Sequence, residues 1–208
     1  MGDRETFVEW PIRWVRYSER LRVWVHTLLN RRRAAWWRIE LGAGCRFWGR
    51  TLFRRAPGSS IGVGENCQFR STVWSNPLGV TGPCILNTVR ENARIRIGNR
   101  VGMSGTVVCA AESVEIGDDV FCGANVKIMD TDFHGVRFED RCNGGVSAPV
   151  RIEEKVWLGV DVLVLKGVTI GAGTVVAARS VVTRSLPAGV IAAGQPARVL
   201  KEIPRRAD

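Results

Sequence analysis

The sequence predicts an all-β solenoid, a chain wound into a triangular coil, with an amphipathic helix before it. Three observations carry this prediction: a six-residue repeat from Ile152 to Pro187, helical spacing of apolar residues near the N-terminus, and 23 glycines among 208 residues. A helix repeats its apolar residues at spacings of three and four, and an ordinary strand at two, so a strict period of six fits neither. It fits one short strand and one corner in every six residues.

The repeat also predicts which residues stack. Its first positions are all aliphatic and should point inward: Ile152, Leu158, Val164, Ile170, Val176 and Val182. The residue four positions later in each hexad is expected at the tight corner. Three hexads complete one turn, so residues 18 apart should lie on adjacent coils, about 4.8 Å apart along the axis.

The chain divides into three predicted segments. Residues 1–40 form a basic helical segment rich in Trp and Arg, residues 41–187 form the coiled domain with a loop excursion at 130–151, and residues 188–208 form a closing strand and a C-terminal tail. Between residues 41 and 96 the repeat is degraded. Atypical terminal units are expected in a solenoid, because they cap its core.

Residues 8–30 place apolar side chains at spacings of four and three, which predicts one face of a helix. The members of this face are Trp10, Trp14, Tyr17, Leu21, Trp24 and Leu28. Residues 1–55 hold 13 arginines and five acids, so they carry +8 of the total net charge of +10. Two interpretations stay open: the face packs on the body or on a neighbouring subunit, or residues 8–38 lie on an anionic membrane surface with Trp at the headgroups.

Composition excludes several classes of protein. No run of 18 apolar residues appears, so a membrane span is not expected. Glu5, Glu9 and Glu19 interrupt the N-terminal segment, which therefore does not resemble a secretory signal. The six cysteines form no CxxC pair and are expected to be reduced thiols. We expect a cytoplasmic protein, and association with a membrane surface stays open. We expect no nucleic-acid partner, because the sequence contains no motif of basic and aromatic residues that reads nucleic acid.

The repeat breaks once, at the polar residues 130–151, and resumes in phase at Ile152. A long loop in an otherwise regular solenoid is usually functional. The chain has two histidines: His26 lies in the basic helix, and His134 lies on this loop in the sequence Asp-Thr-Asp-Phe-His-Gly. A lone histidine on a loop is more often structural than catalytic, so the residues alone leave the role of His134 open.

Three parts of the sequence resemble the hexapeptide-repeat acyltransferases. They are the hexad array, the loop motif Asp-x-Asp-Phe-His, and the ending Val-Trp157-Leu-Gly-Val … Lys166-Gly-Val-Thr-Ile-Gly … Ala-Gly-Gln-Pro-Ala-Arg198. The resemblance covers about residues 60–201 and is strongest to the sugar O-acetyltransferases of the maltose, galactoside and capsule type. It implies a left-handed parallel β-helix, a homotrimer with sites between subunits, and acetyl transfer from acetyl-CoA to a hydroxyl, with no metal required.

The resemblance implies that His134 is the general base. A neutral imidazole can take the proton of an alcohol as that alcohol attacks a thioester, which is worth roughly 10²–10⁴-fold in rate. No cysteine or serine nucleophile motif is needed, so direct transfer is the simplest mechanism. Asp132, or Asp130, would orient His134 or touch the acceptor, and either is equally well explained as a turn residue. Asn87 is near the position of a family asparagine that contacts the acceptor.

The expected acetyl-CoA contacts come partly from resemblance and partly from stacking. Trp157 matches a family tryptophan beside the CoA arm, although packing between subunits explains it equally well. Lys166 and Arg184 are 18 apart, so these two cations should stack and need an anion such as a CoA phosphate. The full predicted set is Trp157, Gly159, Val160, Lys166, Ala178, Thr183, Arg184, Arg198 and Lys201.

Thr183, Arg184, Arg198 and Lys201 resemble the family's contacts to the nucleotide end of CoA, and a solvated basic edge remains the alternative for Arg198 and Lys201. Val160 and Ala178, also 18 apart, would form a lane of small residues for pantetheine, and a backbone N–H at Gly159 or Val160 would stabilise the oxyanion. Arg179, at a corner where glycine is commoner in the family, needs space or an anion.

Other functions remain open from sequence alone. The acceptor could be an amino sugar, serine or a xenobiotic alcohol instead of a glycan precursor. A zinc hydratase of the same fold needs three histidines, and only His134 lies in the predicted solenoid. A non-enzymatic scaffold that binds an anionic polymer through the Arg-rich start is the remaining alternative.

Overall fold

The chain is a triangular solenoid of six coils with a helix at its N-terminal end and a hairpin at its C-terminal end. The computed structural model describes residues 4–204, with side chains from Tyr17 onward. The fold is the predicted left-handed parallel β-helix. Each coil contributes three short strands, one to each side of the triangle.

The elements follow the chain in a regular order. Helix α1 spans Arg4–Trp36, and two 3-10 turns lie at Val73–Ser75 and Phe138–Asp140. The strands of coils one to six, in chain order, are β1 (Glu40–Leu41), β2 (Arg46–Trp48), β3 (Leu52–Arg54); β4 (Ser60–Val63), β5 (Gln68–Arg70), β6 (Ile85–Thr88); β7 (Arg94–Ile97), β8 (Gly102–Ser104), β9 (Val107–Ala110); β10 (Ser113–Ile116), β11 (Phe121–Ala124), β12 (Lys127–Met129); β13 (Val150–Ile152), β14 (Trp157–Leu158), β15 (Leu163–Val164); β16 (Thr169–Ile170), β17 (Val175–Val176), β18 (Val181–Val182). The closing hairpin is β19 (Val190–Gly194) and β20 (Ala197–Glu202).

The first, second and third strands of the coils form three parallel sheets, which we name A, B and C. In the last two coils the register is 18 residues, as predicted: Leu158 pairs with Val176 and Val164 with Val182. The first positions of the hexads are all buried. Their aliphatic side chains stack along the axis and fill the triangle.

The corners differ from the prediction. The residue four positions into each hexad is buried as a second inward position, as Val156 and Ser180 show. The residue that turns the chain is the one before it, which takes a left-handed backbone conformation. Lys155, Asp161 and Arg179 do so with φ between 56° and 60°. The side chain of Arg179 is exposed, and its Nε atom lies 3.8 Å from Oδ2 of Asp161. The space and the anion that this arginine was expected to need are therefore both present.

Helix α1 closes the N-terminal end of the solenoid with its last turns. The buried Asn30 side chain donates to the carbonyl of Gly49 at 2.8 Å and accepts from the N–H of Thr51 at 3.0 Å. The hydroxyl of Thr27 accepts from the N–H of Phe47 at 3.1 Å. These bonds satisfy backbone groups of the first coil that have no preceding coil to pair with.

The helix is confirmed, but its predicted apolar face is not the face that packs on the body. Tyr17, Leu21, Trp24 and Leu28 are exposed, whereas Asn30 is buried against the first coil. Trp10 and Trp14 lie outside the described side chains. The open coil end needs hydrogen-bonding groups, and these come from the opposite side of the helix.

The C-terminal end is closed by two strands where a single closing strand was expected. β19 continues sheet B parallel to β17, and β20 returns antiparallel to it. This places Arg198 and Lys201 on the last strand of sheet B. Among the described residues, no helix is both long and apolar enough to cross a membrane.

Candidate active site

The loop at 130–151 is anchored by a buried carboxylate at its first residue. Asp130 is fully buried and accepts from the N–H groups of Ala111 and Glu112, both at 2.7 Å. Its own carbonyl accepts from the N–H of Ala148 at 2.9 Å. Asp130 therefore fixes both stems of the loop to the preceding coil. It has the structural role that the sequence left open, and it does not orient His134.

His134 is held by a backbone carbonyl. Its Nδ1 atom lies 2.9 Å from the carbonyl oxygen of Arg141, further along the same loop. A carbonyl oxygen only accepts, so this contact requires the proton on Nδ1 and leaves the lone pair of Nε2 free. The imidazole is thus fixed in the tautomer that a general base needs. The orienting group carries no sequence signal, because any residue supplies a carbonyl.

Asp132 and Lys166 form an ion pair with 2.7 Å between Nζ and Oδ2. The pair removes one of the alternatives left open for Asp132, the orientation of His134, and it corrects the expectation that Lys166 needs an external anion. The Asp132 carboxylate contacts Lys166 and not the His134 ring. Lys166 lies two positions past Val164, which pairs with Val182, so Arg184 is its expected neighbour. The ammonium group of Lys166 is nevertheless neutralised by Asp132 of the same chain. Stacking of Lys166 near Arg184 therefore does not require an external anion.

The loop encloses a concavity of about 420 Å³ beside His134. Its lining residues are Asp132, His134, Gly135, Val136, Arg137, Asp140, Asn143, Gly144 and Val146. Polar groups and two valines line one space, a mixture that suits a small polar ligand with apolar ring faces. Asn87 does not line it. Asn87 lies on the outer face of sheet C and pairs with Cys109 on the next coil. Cys109 pairs with Met129, the last residue before the loop, so Asn87 is two coils away from the start of the loop.

Gly159, Val160 and Ala178 meet at the corner between sheets B and C. The carbonyl of Val160 accepts from the N–H of Arg179 at 2.7 Å, which confirms that adjacent coils stack there. A side chain on Gly159 would approach the backbone N of Ala178 to 2.6 Å, so only glycine allows this spacing. The N–H of Gly159 donates to the carbonyl of Val176 and is not free for an oxyanion. Val160 is the remaining candidate of the two.

A concavity of about 590 Å³ opens at the same corner, beside the predicted lane of small residues. It is lined by Asn125, Lys127, Asp161, Val162, Leu163, Arg179, Val181 and Gln195. A larger one of about 920 Å³ lies along the charged outer face of sheet A. Neither of these two concavities is lined by His134.

The other predicted cofactor contacts are spread over two places. Trp157 is half exposed on the outer face of sheet B, in register with the exposed Phe121. Arg198 and Lys201 lie on β20 of the same sheet. Thr183 and Arg184 are exposed at the corner between sheets C and A, on the side from which the loop departs.

One chain therefore brings His134, Asp132, Lys166 and Arg184 to the C–A side of the triangle. It leaves Gly159, Val160 and Ala178 at the B–C corner.

The buried thiols of Cys109 and Cys122 are poor nucleophiles. Burial, together with the nearby charge of Asp130, raises the pKa of Cys109 to about 11, and burial raises that of Cys122 to about 12. Both are thiols at neutral pH, whereas the thiolate is the nucleophilic form. All six cysteines are unpaired, five of them buried, as expected of reduced thiols, and Cys142 is exposed. The side chains described from Tyr17 to Pro204 contain no group of three metal-ligating residues.

Comparison with known proteins identifies the repeat. Residues 149–184 match the family model of the bacterial transferase hexapeptide with six repeats. The repeat is a transferase hexapeptide. The resemblance predicted from the sequence is confirmed.

Relatives extend this likeness beyond the hexapeptide segment. A galactoside O-acetyltransferase of Lactococcus lactis is 34% identical over 142 residues, 68% of this chain and 62% of the relative. Its counterpart in Escherichia coli is 45% identical over 92 residues, 44% of this chain and 45% of the relative. The chain spans about half the length of the relatives that it matches.

A solved structure shows the same hexapeptide fold. It is a hexapeptide-repeat acetyltransferase of Vibrio cholerae O1 biovar eltor, complexed with acetyl coenzyme A. It has a TM-score of 0.53 and 25% identity, over 80% of this chain and 72% of that one.

Proposed function

We propose that this protein transfers an acetyl group from acetyl-CoA to a hydroxyl of a saccharide or glycan precursor, with His134 as the general base. The observation that carries the proposal is the Nδ1 contact between His134 and the Arg141 carbonyl, beside a concavity of about 420 Å³. The names of the relatives, galactoside O-acetyltransferases, and the acetyl-CoA complex of the Vibrio protein support the donor and the reaction class.

The proposed chemistry is a direct transfer. Nε2 of His134 takes the proton of the acceptor hydroxyl as its oxygen attacks the thioester carbonyl carbon. The resulting oxyanion needs a hydrogen-bond donor, for which the N–H of Val160 is our candidate. When the tetrahedral intermediate collapses, the C–S bond breaks and the imidazolium returns its proton to the leaving thiolate. The raised pKa values of the buried thiols Cys109 and Cys122 favour this route over an acyl-cysteine intermediate.

We further propose that the site is shared between subunits of a homotrimer. His134 and the lane at Val160 and Ala178 lie at different corners of one chain. A neighbouring subunit of a closed cyclic assembly can bring the lane of one chain to the loop of the next. The exposed Trp157 and Phe121 on sheet B would be covered in the same assembly.

The test is release of free thiol from acetyl-CoA with a panel of mono- and oligosaccharides. We expect release that depends on both protein and acceptor, with mass spectrometry locating the acetyl group on a hydroxyl oxygen. Transfer to an amine or to serine instead would move the proposal to another acceptor class. No acceptor-dependent release from any member of a broad alcohol and amine panel would contradict the proposed activity.

A further inference from the structure

The outer face of helix α1 carries an apolar stripe that the body does not cover. Tyr17, Leu21, Trp24 and Leu28 are 72%, 53%, 64% and 40% exposed. They recur at spacings of four, three and four residues, so they line one side of the helix.

The direction of this stripe is fixed. The buried bonds of Asn30 with Gly49 and Thr51 hold the opposite side of the helix against the first coil. The helix cannot rotate to turn the stripe toward the solenoid without breaking these bonds. The apolar stripe therefore faces away from the solenoid.

Arginines border the stripe and continue it. Arg20 and Arg31 lie four residues before and seven residues after Trp24, on the same side of the helix, and Arg32 lies four residues after Leu28. All three are exposed, and Arg31 also donates to the carbonyl of Gly42 on the first coil at 3.1 Å. From residue 17 to residue 38 the chain holds six arginines and one acid, Glu19, so the surface that would contact a partner is strongly positive.

We propose that this face binds an anionic lipid surface, with α1 lying in the plane of the headgroups. Indole and phenol rings favour the headgroup level, and leucines reach the acyl boundary. Each exposed arginine near an anionic leaflet strengthens binding about fivefold. A second copy of the same face is disfavoured as the partner, because it would bring two arginine-rich stripes together. The inference is independent of the proposed activity, since it uses no residue of the candidate active site.

The experiment is sedimentation of the full-length protein with two kinds of vesicle, phosphatidylcholine alone and phosphatidylcholine mixed with phosphatidylglycerol. We expect strong binding to the mixed vesicles and little to the neutral ones. Leu21→Ser with Leu28→Ser should lower partition roughly 100-fold, since each of the two buried leucines contributes about a factor of ten. Arg20→Gln with Arg32→Gln should lower binding to the mixed vesicles roughly 10–30-fold.

The matched control is Leu78→Ser, because Leu78 is a leucine of the body that is 75% exposed. It should bind like the wild type, and every variant should keep the wild-type unfolding midpoint. The proposal is overturned if the intact protein does not bind mixed vesicles, or if the double leucine variant binds as well as the wild type. A fall in oligomer mass in that variant with unchanged vesicle binding would identify a second copy as the occupant and also overturn it.

Discussion

Replacing His134 with alanine is expected to lower kcat for acetyl transfer by about 10²–10⁴-fold, the usual contribution of a general base. The variant loses the Nε2 lone pair that accepts the hydroxyl proton. The side chain is exposed and its described hydrogen bond is to a carbonyl of its own loop, so the fold should be unaffected. Affinity for acetyl-CoA should therefore stay close to that of the wild type. Calorimetric titration with CoA and single-turnover rates would separate the two quantities.

The matched control for this variant is Glu139→Ala, an exposed acidic residue on the same loop that does not line the concavity. It should keep wild-type kcat. Turnover by His134→Ala at the wild-type rate would exclude the histidine as the base. Loss of CoA binding together with turnover would instead show that the substitution disrupts the site as a whole.

Replacing Asp130 with alanine should cause a large loss of stability. It removes the acceptor of two hydrogen bonds of 2.7 Å and leaves the N–H groups of Ala111 and Glu112 without their partner. Hydrogen bonds to a charged group contribute about 1.5–3 kcal/mol each, so we expect the free energy of unfolding to fall by roughly 3 kcal/mol or more. Turnover should fall as well, because the freed loop no longer fixes His134.

Asp130→Asn separates the hydrogen bonds from the carboxylate charge. Its amide oxygen can keep part of the contact, so its stability should lie between those of the wild type and Asp130→Ala. Denaturant unfolding at one fixed protein concentration measures this, since the stability of an oligomer depends on concentration. An Asp130→Ala variant as stable as Glu139→Ala would show that the buried carboxylate does not anchor the loop.

The period of the sequence was enough to predict the coil, and the reason is physical. An aliphatic residue every six positions can be buried only in a coil of six-residue sides, and the 18-residue pairing of Val164 with Val182 follows from it. Corner residues were less predictable. A left-handed conformation is sterically costly, yet Lys155 and Arg179 adopt it because ladder hydrogen bonds on both sides impose it.

The parts that the sequence did not predict depend on contacts between distant segments. Periodicity identified the apolar face of α1 but not its direction, which is set by the bonds of Asn30 to the open coil end. The ion pair between Lys166 and Asp132 joins a coil corner to a loop outside the repeat. The 18-residue spacing between adjacent coils therefore could not predict it. The group that orients His134 is a main-chain carbonyl and is therefore invisible to any motif.

The central claim is that an acetyltransferase site combines the His134 loop of one chain with the Val160–Ala178 lane of another. Subunit complementation tests it most directly. His134→Ala lacks the base, and Ala178→Trp fills the lane at an exposed corner; each alone should be inactive. Co-assembled in equal amounts, they should recover up to about a quarter of wild-type turnover, because half of the loops and half of the lanes are intact and pair at random around a cyclic oligomer. Mixed oligomers that stay inactive would contradict a shared site.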